Sequence, residues 1–125
     1  MERQRAQFGP WEVECLPDDG ARVSVLRFEG LDLLTSRPEA FVPRPDRGRF
    51  ETREAYGYDD CFPTVDACRY PVDPPFDIPD HGELLWLPWQ VRAESDRLVC
   101  SVAGELLPVT FTRTMVFSPC RIEWR

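Results

Sequence analysis

The chain's single histidine, His81, stands in the string Pro79-Asp80-His81-Gly82-Glu83. An imidazole titrates near neutrality and can give or take a proton during a reaction. Carboxylates flank it on both sides, which favours the imidazolium where they lie close in space. Gly82 lets a ligand or a second backbone approach. A surface histidine in a turn has the same local sequence, so both readings stand. A second cluster is Tyr56-Gly57-Tyr58-Asp59-Asp60-Cys61-Phe62-Pro63. Aromatic rings beside paired carboxylates suit sugar recognition, because rings stack on C–H faces and carboxylates accept bonds from hydroxyls. Tyr58, Asp59 and Asp60 are the candidates there; the competing reading is a packed loop whose aspartates cap turns. Trp86 and Trp89 form a third group. If they lie on a strand, one joins the core, the commoner fate of a tryptophan, and the other, Trp86, lines a pocket.

Other chemistries fit poorly. Cys61 and Cys68 with His81 lack the paired spacing of zinc sites. A second histidine ligand does not exist in the chain, and without lysine there is no Schiff base. A Cys-His nucleophilic pair requires a spatial contact that spacing alone does not establish. The scattered glycines make no phosphate-cradling loop, although Arg53 or Arg92 could hold a phosphate. No metal and no cofactor is expected.

The 125 residues fit one domain, expected to span 1–125. A hydrophobic fraction of 42% argues against disorder. The net charge of −7 disfavours nucleic acid and anionic membrane, since both require a positive face. No run approaches the roughly 20 apolar residues of a spanning helix. The polar stretch 1–7 does not read as an export signal. With an odd count of five cysteines, this points to reduced thiols and a cytoplasmic location.

The elements that must position these residues read as strands. Thirteen prolines are too many for long helices, and no 3.6-residue period persists. Trp11, Val13 and Cys15 alternate with glutamates, and Pro17-Asp18-Asp19-Gly20 is a turn. A strand over 22–28 places Val23 and Val25 on one face and Leu26 and Phe28 on the other; another resumes at 31–35. The segment 37–80 holds eight of the thirteen prolines and reads as a long, ordered excursion with a short strand at 49–53. Strands are expected at 82–86, 89–93, 98–103, 109–117 and 121–125. On the strand at 109–117, Phe111, Arg113, Met115 and Phe117 share one side. The expected fold class is all-β, an antiparallel β-sandwich.

Three strings together carry a resemblance. Gly57-Tyr58-Asp59-Asp60-Cys61-Phe62-Pro63-Thr64, Ile78-Pro79-Asp80-His81-Gly82-Glu83-Leu84 and Leu87-Pro88-Trp89-Gln90-Val91 resemble the aldose 1-epimerase (galactose mutarotase-like) family. Gly9-Pro10-Trp11, Gly20-Ala21-Arg22-Val23 and Leu107-Pro108-Val109 fit the same order. The most specific part is His-Gly after Pro-Asp, followed by Pro-Trp. The resemblance implies a supersandwich with a sugar cleft, an aldose as the small-molecule partner, anomer interconversion by an acid and a base, and no cofactor. It matches His81 to the family's histidine beside the ring oxygen, as the acid or a donor assisting it. It places Tyr58, Asp59 and Asp60 in the loop neighbouring the sugar. The family's second histidine and catalytic glutamate have no match here. The resemblance therefore covers an amino-terminal half, and a chain cut in mid-fold, lacking the base, is expected. The alternative is a non-catalytic sugar-binding module, or one that self-associates through exposed sheet edges.

Overall fold

The computed structural model describes residues 1–39 and 45–125; the part of the proline-rich excursion at 40–44 lies outside them. The chain is all-β and antiparallel. Four strands form the first sheet in chain order: β1 (Gln4–Phe8), β2 (Trp11–Leu16), β3 (Arg22–Phe28) and β4 (Leu31–Asp32). A two-stranded ribbon, β5 (Cys68–Tyr70) and β6 (Phe76–Ile78), lies within the connection. The second sheet is another meander of β7 (Gln90–Ala93), β8 (Arg97–Ala103), β9 (Thr110–Ser118) and β10 (Arg121–Trp124). Among the described residues no helix is long and apolar enough to cross a membrane.

The two meanders face each other across one core. Val13, Cys15, Val23 and Leu26 from the first sheet meet Leu98, Cys100, Met115 and Phe117 from the second. Phe8 stacks on Phe117 at 4.5 Å, and the Trp11 indole N–H donates to the Ser118 carbonyl at 2.8 Å, so the sheets are joined along one side. Burial of these apolar faces is the main favourable term.

Several expectations are corrected. The polar stretch 1–7 contains an edge strand, β1, in which Arg5 lies opposite Glu14 and bonds it at 2.7 Å. Ladder bonds and charge pairing hold it beside β2, while Ala6 and Phe8 pack against the core. On β3, Val23 and Leu26 both reach the core. Cys15 pairs with Val23 but Glu14 with Val25, so Ser24 is an extra residue that flips the alternation. The strand expected at 49–53 is instead a 3-10 turn, Phe50–Thr52, and the one at 82–86 is a 3-10 turn, Leu84–Trp86. Leu84 and Leu85 are both fully buried, which neighbours on a strand with one solvated face cannot be. The strand expected at 31–35 stops after Asp32.

Candidate functional site

The long connection is latched to the sandwich by backbone contacts. Tyr58 and Val23 exchange N–H···O bonds at 2.9 and 3.0 Å. This approach requires Gly57, where a Cβ would sit 2.3 Å from the Val23 carbonyl oxygen. A second bridge joins Phe62 to Gly82, and the His81 N–H donates to the Val65 carbonyl at 2.8 Å. The Tyr-Gly-Tyr-Asp-Asp segment thus lies against β3, and the Pro-Asp-His-Gly segment lies against the residues that follow it.

His81 is held in an uncommon posture. Its backbone is left-handed, φ +62°, a region that costs a non-glycine residue about 1 kcal/mol. Its ring stacks on Phe50 at 3.5 Å with 9° between the planes. Nδ1 lies 2.8 Å from Asp80 Oδ1. A carboxylate accepts, so Nδ1–H is the donor, and Nε2 bears the lone pair when the ring is neutral and a proton when it is charged. Among the described residues Nε2 has no hydrogen-bond partner. The side chain is 26% exposed. Asp80 also lines an open groove of ≈ 540 Å³ with Arg49, Glu51, Asp77 and Pro79. Of the two carboxylates flanking His81, only Asp80 meets it. Glu83 turns inward and accepts the N–H groups of Glu105, Leu106 and Leu107 at 2.8 to 3.1 Å, securing the loop between β8 and β9.

The other sequence candidates fall into two separate clusters. Tyr58 and Asp60 turn into the core. Asp60 is 7% exposed; it accepts the Tyr58 hydroxyl at 2.8 Å on Oδ1 and Arg113 at 2.5 Å on Oδ2, so both oxygens are engaged. Burial, and then the bond to Asp60, push the Tyr58 phenol up to about 12, which keeps it a donor. Arg113, 1% exposed, also donates to the Ala21 carbonyl at 2.5 Å. Burial opposes its charge, but Cys100 and Asp60 outweigh that and hold it above the usual arginine value.

Asp59 faces the other way, towards Arg53 at 3.0 Å and Arg22 at 3.7 Å; both arginines also pair with Asp19. Two cations and two anions make this cluster neutral, so Arg53 has no charge to spare for a phosphate. Arg92 is likewise paired, with Glu94. The Arg53 guanidinium lies over the Trp86 ring at 5.6 Å, and the Trp86 indole N–H is buried without a partner among the described residues. A groove of ≈ 420 Å³ is lined in part by Asp19, Arg22, Arg53 and Tyr56, and His81 does not line it. Trp89 belongs to the core.

Sequence reasoning missed Phe50 as the platform for His81 and Arg113 as the partner of Asp60. Arg113 carried a signal: a charged residue in an inward register demands a buried counter-ion. Cys61 neighbours Asp59 and Asp80; burial first, and those charges second, push its thiol up and disfavour a nucleophilic thiolate. No family model, no curated protein and no solved structure matches this chain.

Proposed function

We propose that the chain is a carbohydrate-recognising sandwich of the aldose 1-epimerase type, acting on an aldose in the cytoplasm, with His81 as the residue that addresses the sugar. The observation that carries this reading is the posture of His81. Its ring is fixed by Phe50 on one face and by Asp80 at Nδ1, which leaves Nε2 for a ligand. A protonated Nε2 suits donation to a ring oxygen, and a neutral one suits acceptance from an anomeric hydroxyl. The groove beside Asp80, which His81 adjoins in sequence but does not line, offers Arg49, Glu51 and Asp77 to sugar hydroxyls. Asp59 and Trp86, which share Arg53, are the outer candidates for further contacts. Tyr58 and Asp60 hold the loop from within.

Anomer interconversion requires a base as well as an acid. The only carboxylate that bonds His81 among the described residues is Asp80, and it serves to orient the ring. Recognition with little turnover by this chain is therefore the expected behaviour. Equilibrium binding to a panel of aldoses tests it. Millimolar binding is expected for at least one sugar, weakened about tenfold or more in His81→Gln, on the scale of losing a hydrogen bond with charged character. Equal affinity of the two proteins would refute the assignment of His81.

A further inference from the structure

Two cysteines that play no part in sugar recognition meet in the centre of the core. Cys15 comes from β2 in one sheet and Cys100 from β8 in the other, and both are 0% exposed. Arg113 Nη2 lies 3.8 Å from Cys15 Sγ and 3.5 Å from Cys100 Sγ, so both sulfurs converge on one nitrogen. Cys15 donates its S–H to the Ala21 carbonyl at 3.2 Å. We propose that Cys15 and Cys100 are a redox couple across the sandwich, which a hydroperoxide oxidises to a disulfide joining the two sheets.

The chemistry balances. The Cys100 thiolate attacks a peroxide oxygen, breaking the O–O bond and giving a sulfenic acid and hydroxide. The Cys15 sulfur then attacks Cys100 sulfur and expels the oxygen as water. Two thiols and one hydrogen peroxide become one disulfide and two waters. The Arg113 guanidinium, shared with Asp60, lies beside both sulfurs and favours a thiolate there. Of the two coupled thiols Cys100 is the one drawn down, by its neighbour Cys15 first and by the Arg113 guanidinium, against burial. Arg113 Nη2 lies nearer Cys100 than Cys15, and Cys15 keeps its proton on the Ala21 carbonyl, so Cys100 is the attacking sulfur and Cys15 the resolving one. Bond formation requires the two sulfurs to close to about 2.05 Å. A small, uncharged oxidant suits a buried site; bulky thiol reagents meet the exposed Cys61, Cys68 and Cys120 instead.

The test treats the Cys61→Ser, Cys68→Ser, Cys120→Ser protein with hydrogen peroxide under native conditions. Non-reducing peptide mapping should then find Cys15 joined to Cys100, with a mass loss of about 2 Da for the two hydrogens removed. Tm should rise by roughly 5–10 °C, because the bond constrains the unfolded chain. Should the triple variant fail to fold, the native protein with its exposed thiols first alkylated takes its place. Free thiols after treatment, or sulfinic acid on either residue without a link, would overturn the proposal.

Discussion

Replacing Arg113 by methionine is expected to destabilise the protein by about 3–5 kcal/mol, the cost of removing one partner of a buried ion pair. The side chain is 1% exposed and fully partnered on both terminal nitrogens. Nη1 bonds Asp60, Nη2 bonds the Ala21 carbonyl, and the guanidinium lies over Tyr58 at 5.5 Å and Trp89 at 5.4 Å. Methionine fills much of the volume but leaves the Asp60 carboxylate buried with only the Tyr58 hydroxyl. Urea unfolding at pH 7 measures the loss, and Tm should fall by roughly 10 °C or more. The double variant Arg113→Met, Asp60→Leu removes both charges and should recover a large part of the loss. A single-variant cost under about 1 kcal/mol, the scale of a surface pair, would show that this pair does not hold the loop to the core.

Gly82→Ala is expected to cost about 2–4 kcal/mol, the range for overpacking and backbone strain together, and to displace His81. A Cβ there would lie 1.7 Å from the Phe62 carbonyl oxygen and 2.4 Å from its carbon. Both are backbone atoms, so no side chain can swing aside. The residue also has φ +76°, where alanine is strained. Gly30→Ala is the control, because φ is +78° but nothing lies within 4 Å of the added carbon. It should cost only the conformational penalty of about 1 kcal/mol. Equal costs in the two variants, by thermal or urea unfolding, would mean that the Phe62–Gly82 bridge does not constrain the loop. With unequal costs, amide exchange at His81 and Val65 should quicken in Gly82→Ala and stay unchanged in Gly30→Ala.

The strands of the two meanders were legible because their inward faces alternate with polar residues. Leu98, Cys100 and Val102 on β8, and Arg113, Met115 and Phe117 on β9, all lie in the expected register. Where the period broke, the reading failed for a local reason. Ser24 is inserted against a continuous partner strand, and a bulge leaves no mark in hydrophobicity. The run Leu84-Leu85-Trp86 has no period by which a strand can be told from a 3-10 turn. β1 is an edge strand in which Gln4, Arg5 and Gln7 outnumber the apolar residues, so pattern alone misses it.

The candidate site was legible as chemistry and not as geometry. His81 with Asp80 could be picked out from residue type and adjacency. That Asp60 faces inward while Asp59 faces outward could not. Consecutive residues of an extended segment point opposite ways. Which one enters the core is decided by Arg113, which lies 53 positions along the chain. Phe50 was equally hidden, since the stack joins two turns with no shared pattern.

The most direct test of the central claim uses the fact that the chain has one histidine. Protein labelled with nitrogen-15 histidine gives one pair of imidazole nitrogen resonances, and D-glucose and D-galactose can be titrated against it to high millimolar concentration. Recognition through His81 predicts a saturable shift of Nε2 with at least one sugar, while the Nδ1 proton stays bonded to Asp80. An imidazole unmoved by either sugar at high millimolar concentration would contradict the account.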